Sequence, residues 1–255
     1  MQRIGIIGGT LTVVLLLSSI LFFNTQNESN MSMLTENVKS SDELIVNTAF
    51  FYIKDGEEAR FEKLRSRGNV LLEKHGARIE RVIKPTMLAA GELELPDEIH
   101  FAVYPNAAAK AAFDADPEFL QLKQEYLAGA VDKMFGFATH LDDFEFFREI
   151  GDATKTYGVA LIYFKEGQEH AEQFAQYHEA ACAIIPEFGT HFERFLIPFA
   201  AANELKEQPD EIHRFYFDSQ EGMQQMVTDQ RMQALFPQRD GSLKELVFIL
   251  GEAIQ

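Results

Sequence analysis

The pentapeptide PDEIH occurs at 96–100 and again at 209–213, which puts His100 and His213 at matching places 113 residues apart. Histidine titrates near neutral pH and can act as acid, base or metal ligand. At the same offset Glu80 and Arg81 fall on Glu193 and Arg194, and at an offset of 111 Tyr52 falls on Tyr163. A histidine that accepts a proton beside a tyrosine that orients the substrate would support cofactor-independent chemistry, with His100 or His213 as the base and Tyr52 or Tyr163 as its partner. Arg81, Arg194, Glu80 and Glu193 are candidates for ligand binding. So is Arg214, which stands where the first copy has Phe101 and would suit an anionic group. Each also has a plainer reading: the histidines as strand-start residues, the Glu-Arg pairs as salt bridges, the tyrosines as core rings with satisfied hydroxyls.

Other chemistry is poorly supported. One histidine per copy, with no Glu or His at helical ligand spacing, is a weak metal signature. The one cysteine, Cys182, permits neither an internal disulfide nor a cysteine metal site, so no metal is expected. No Rossmann glycine pattern, phosphate loop, serine elbow or CxxC is present, which leaves nucleotide-dependent and common hydrolytic classes without a basis. A net charge of −17 argues against nucleic acid as a partner and against lying on an anionic bilayer.

The elements that must position these residues are legible twice. In the first copy the pattern reads strand 45–54, helix 57–74, strand 78–84 stopped near Pro85, strand 98–104, helix 107–113 capped by Asn106, helix from Pro117 capped by Asp116, and strand 133–140. The second copy reads strand 157–165, helix 168–185, strand 190–197, strand 211–217, helix 220–235 and strand 244–250. Gly76 and Gly189 suit left-handed helix ends. The offset changes from 111 to 113 across the first helix, so the second copy is longer there by two residues. The order βαββαβ is the ferredoxin-like split unit. Its first strands are apolar on both faces, so the face without helices must also be covered. Packing the two sheets together covers it and gives a single-chain α/β barrel of the α+β class with helices outside.

Ahead of the copies, residues 4–23 form an uncharged run of twenty residues, long enough at about 1.5 Å each to span a hydrocarbon core of about 30 Å. Arg3 precedes the run and residues 24–37 carry no Lys or Arg, so the expected orientation leaves the N-terminus cytoplasmic and exports the body to the extracytoplasmic (periplasmic) side. A cleaved leader is the competing reading. The expected organisation is a membrane anchor at 1–23, a flexible linker at 24–44, one repeat at 45–141, an acidic-aromatic connector at 142–156 and a second repeat at 157–253.

The βαββαβ order, Gly76 and Gly189 after the first helices, and a third strand running into Pro105-Asn106 or Asp218-Ser219 resemble the dimeric α/β-barrel superfamily over 45–141 and 157–253. The passage DADPEFLQLK at 114–123 is similar to small members of it, related to antibiotic-biosynthesis-type monooxygenases, that pair as homodimers. The resemblance implies a barrel fold, and for a tandem copy an intramolecular pseudo-dimer in a monomeric soluble part. It implies no particular catalytic residue, because members share architecture more than chemistry. No cofactor is expected, with haem left open because tandem barrels of this shape can hold it through a single His.

Two functions follow as expectations, with the small-molecule site placed in a central cavity between the copies. One is binding of a small, partly apolar molecule or a protein partner without chemistry. The other is a cofactor-independent monooxygenase or isomerase using a His/Tyr pair.

Overall fold

The computed structural model describes residues 43–141, 152, 154–202 and 205–254. Residues 4–23 and most of the connector at 142–156 lie outside them. Among the described residues no helix is long and apolar enough to cross a membrane.

Eight antiparallel strands close into a barrel in the order β1-β3-β2-β8-β5-β7-β6-β4. The first copy supplies β1 (Leu44–Ile53), α1 (Glu58–Lys74), β2 (Arg78–Ala90), β3 (Glu98–Tyr104), α2 (Ala107–Asp114), α3 (Pro117–Glu125) and β4 (Val131–Leu141). The second supplies β5 (Thr156–Phe164), α4 (Gln168–Cys182), β6 (Thr190–Ala201), β7 (Glu211–Phe217), α5 (Gln220–Thr228), α6 (Gln230–Ser242) and β8 (Leu243–Ala253). The copies meet at two seams, β2 with β8 and β4 with β6. Closure removes every free sheet edge, which is why strands apolar on both faces are tolerated.

The expected elements are present, with several differences. Strand β2 does not stop at Pro85 but continues to Ala90, because Pro85 sits at a register shift against β8 where no ladder donor is required. The single helix expected over 220–235 is two helices, since the Asp229 carboxylate accepts from Arg231 N and caps a new start. The two additional residues of the second copy appear as a 3₁₀ turn, Ile185–Phe188, between α4 and Gly189. Gly76 and Gly189 take φ of 72° and 68°, as expected of left-handed helix ends.

Alternation along each strand divides inner from outer faces. Phe50, Phe101, Phe137, Val159, Leu161 and Ile249 belong to the inner core, with Phe50 and Phe135 stacked at 4.5 Å. Ile45, Ala102 and Tyr104 face outward beneath Phe61, Leu64, Phe113 and Leu122 of the first copy's helices.

The PDEIH repeat has a structural role in each copy. Asp97 Oδ2 accepts from Ile53 N and Asp210 Oδ2 from Phe164 N, both at 2.6 Å, fastening the end of a copy's first strand to the start of its third. Glu and His, two residues apart, then share the outer face, with His100 Nε2 2.6 Å from Glu98 and His213 Nε2 2.7 Å from Glu211.

Candidate functional site

Large buried side chains occupy the inside of the barrel, where a central cavity was expected. Two β-bulges explain how. The ladders shift at Glu80 in β2 and at Glu193 in β6, so each Glu-Arg dipeptide turns both side chains inward instead of one. β2 and β6 are four places apart in the eight-stranded ring, and the two dipeptides pair across it reciprocally. Arg194 contacts Glu80 at 2.5 Å, while Arg81 pairs with Glu193. Arg214 joins both carboxylates, at 2.5 Å from Glu80 and with its Nε 2.8 Å from Glu193, the latter out of line for a hydrogen bond.

Burial disfavours charge on Glu80, but Arg214 and Arg194 outweigh it and pull the carboxyl down to about 2. Arg81 lies over the Tyr157 ring at 5.0 Å and Arg214 over Phe101 at 4.6 Å. Glu80, Arg81, Glu193, Arg194 and Arg214 thus form a buried ionic cluster joining the copies.

Tyr52 and Tyr163 also point inward. Their hydroxyls donate to the Glu94 and Glu207 carbonyls at 2.8 and 3.2 Å. Burial, with Glu94 and Asp97 nearby, raises the Tyr52 phenol to about 12. The histidines face outward, so the sheet itself separates each His from the Tyr of its copy and no His/Tyr pair forms.

A cavity of about 180 Å³ lies outside the barrel, between the first copy's sheet and its helices. Asn47, Ala49 and Phe51 of β1, His100 and Ala102 of β3, and Met134 and Ala138 of β4 line its floor. Arg65 and Leu72 of α1, one helical face apart by seven residues, and Phe113, Phe119, Leu122 and Tyr126 form its roof. Ala200 and Ala201 of β6 complete one side, so the second copy contributes to the wall. Tyr126 begins a π-helical turn, Tyr126–Ala130, where a regular helix was expected to continue.

At the floor, His100 is held by a two-step relay. Glu98 accepts from His100 Nε2 at 2.6 Å and from Arg65 Nη1 at 2.8 and 2.9 Å. Burial opposes charge on Glu98, yet His100 and Arg65 keep its carboxyl below the usual range. An ionised carboxylate has no proton to give, so Nε2 carries the hydrogen. Burial pushes the imidazole below its ordinary value, against the upward pull of Glu98, so the ring is neutral at pH 7 and Nδ1 is left as an acceptor. The Phe51 and Phe61 rings pack against it at 4.6 and 6.0 Å.

His213 has the same carboxylate partner but no such space. Strand pairing sets Asn47 beside Ala102 and Ala138 in the first copy, and Gly158 beside Phe215 and Leu250 in the second. A Cβ on Gly158 would meet the Phe215 ring at 2.5 Å and Phe248 at 3.0 Å, so aromatic rings lie directly on that backbone. Phe174, His178, Phe192 and Phe195 surround the His213 ring. One copy keeps an open pocket and the other is packed.

Of the residues matched between copies and singled out from the sequence, the Tyr, Glu and Arg pairs therefore build the barrel's inside and the two histidines lie on its outer face, where His100 lines the cavity and His213 is packed among aromatic rings. Arg65, Asn47, Lys110, Lys123 and Tyr126 escaped notice because they have no counterpart of their own type. The contrast of Ala102 with Phe215 was the available signal.

Haem does not fit these residues. The cavity is smaller than the roughly 300–1,000 Å³ of sites for drug-sized molecules. His100 Nε2 is engaged by Glu98, and the second copy's space is filled. Among the described residues no three His, Cys, Asp or Glu side chains are grouped to hold a metal ion.

Compared with models of known protein families and with curated protein sequences, the chain matches none. Solved structures share its fold. A candidate monooxygenase from Fusobacterium nucleatum aligns with a TM-score of 0.55 at 9% identity, over 85% of this chain and 94% of that one. An anthrone oxidase-like protein gives 0.53 at 11% identity over 84% and 92%. A chlorite dismutase from Candidatus Nitrospira defluvii gives 0.51 at 11% identity over 85% and 93%. Likeness at these identities is one of architecture, and it extends over nearly the whole of each protein. The chain has the fold of the dimeric α/β-barrel superfamily, with both ferredoxin-like copies in one polypeptide.

Proposed function

We propose that the protein binds a small, largely apolar molecule in the first copy's cavity, and that His100 accepts a proton from it. The observation that carries this reading is the neutral imidazole fixed by Glu98 and Arg65 on the wall of a mostly apolar pocket. The Glu98 carboxylate sets the ring's tautomer and would stabilise the imidazolium formed on proton transfer. Phe51 and Phe113 offer flat apolar contact to a ring system, and Leu122 adds an aliphatic wall that excludes water. Monooxygenase-like and anthrone oxidase-like barrels of the same fold are compatible with such chemistry but do not identify a substrate.

A test uses 2-tetralone, a bicyclic ketone whose methylene beside the carbonyl is weakly acidic. Exchange of that methylene with D2O is followed by mass spectrometry. The wild-type protein should accelerate exchange over buffer, and His100→Gln should lose on the order of 10²-fold of that acceleration while still binding the ketone. Because burial lowers the His100 value, the acid fall in rate should come at a lower pH than an ordinary imidazole would give. Bound ketone exchanging no faster than in buffer would favour binding without chemistry, the other reading of the same cavity.

A further inference from the structure

Three cationic side chains line the cavity: Arg65, Lys110 and Lys123. Arg65 is taken up by Glu98 and Glu62, and Lys110 by Asp114 at 2.5 Å. Lys123 is in ion-pair contact with no carboxylate among the described residues. Burial holds its ammonium below the ordinary lysine value, with Asp114 opposing that and Lys110 adding to it. This end of the cavity thus presents two ammonium groups to one carboxylate.

The copies again differ in the telling way. Their helix caps, Asn106 with Ser219 and Asp116 with Asp229, fix the correspondence at 113 residues. Lys110, Asp114 and Lys123 then fall on Met223, Val227 and Phe236. In the packed copy Phe236 stands in an apolar cluster in place of Lys123, while Met223 and the exposed Val227 replace Lys110 and Asp114; in the open copy the charges are present. A charged trio serving only solubility would have no reason to follow the cavity.

We propose that the ligand is a small ring carboxylate, its acid group held between Lys123 and Lys110 and its apolar body lying along β3 toward His100. His100 and Tyr104 are four residues apart on β3, roughly 13 Å at about 3.3 Å per residue, and Lys110 lies 5.5 Å from the Tyr104 ring. That span suits two fused rings carrying a carboxylate at one end. A carboxylate between two partly desolvated ammonium groups replaces water with charge-assisted hydrogen bonds and balances the surplus cation. This assignment rests on the cavity being the ligand site, and it adds the class of ligand.

The test is calorimetric titration of the full chain with 2-naphthoate and with 2-naphthalenemethanol, which shares the rings but is neutral. The wild type is expected to bind the carboxylate at least 10-fold more tightly. Lys123→Met should remove most of that preference and leave affinity for the alcohol within 2-fold. Equal binding of both probes by the wild type would overturn the carboxylate assignment and leave the cavity reading intact. A preference undiminished in Lys123→Met would overturn the role given to that residue. Binding of neither probe would overturn both readings.

Discussion

Glu80→Ala should destabilise the protein by about 3–5 kcal/mol, measured as a shift in the denaturant midpoint at pH 7. The substitution removes the shared partner of Arg194 and Arg214, both with fully buried side chains, and leaves three guanidinium groups, those of Arg81, Arg194 and Arg214, to the one carboxylate of Glu193. The pH dependence has a definite sign. The Glu80 carboxyl is depressed from 4.5 to about 2 in the folded state, so its contribution is complete above pH 4.5 and is lost as pH falls toward 2. That depression corresponds to about 3 kcal/mol, in keeping with the cost of breaking a buried pair. The gap between wild type and Glu80→Gln should accordingly narrow across the same acid range. A Glu80→Ala protein within 1 kcal/mol of the wild type would show that the cluster does not hold the copies together.

Phe215→Ala should cost about 2–4 kcal/mol, somewhat under the usual range for a wholly buried phenylalanine because this ring is half-buried. The ring lies on Gly158 and packs against Phe248 and Phe192 at 5.5 and 5.6 Å, so its removal forfeits those contacts and opens space over the Gly158 backbone. The matching position in the first copy is already alanine, Ala102, and there the space is the proposed ligand site. Thermal unfolding of the variant gives the cost directly. A loss under 0.5 kcal/mol would mean that the second copy is not packed as the ring contacts imply.

These two positions show what could be read from the sequence and what could not. Duplication, element order and the helix caps were legible because PDEIH, the glycines and the capping residues sit in both copies under the same local rules. The Glu-Arg repeats were legible as a pair of something, but their inward turn depends on bulges at Glu80 and Glu193 that strand alternation does not foretell. Without the bulges one residue of each dipeptide would face outward and the interior could be hollow. Pairing Tyr52 with His100 failed for a related reason: period-two alternation puts them on opposite faces once β1 and β3 are in register. The cavity escaped because residues common to both copies drew attention, whereas a site used once is built from residues that differ. Ala102 against Phe215 and Lys123 against Phe236 carry that difference, and neither is remarkable alone.

The central claim is that ligand occupies the first copy's outer cavity and not the barrel interior. Calorimetric titration of 2-tetralone into Ala102→Phe tests it most directly, because the substitution gives the open copy the ring that closes the other. The account predicts affinity reduced at least 10-fold with an unfolding midpoint no lower than that of the wild type. Unchanged affinity in a folded Ala102→Phe protein would contradict it and place any bound molecule elsewhere.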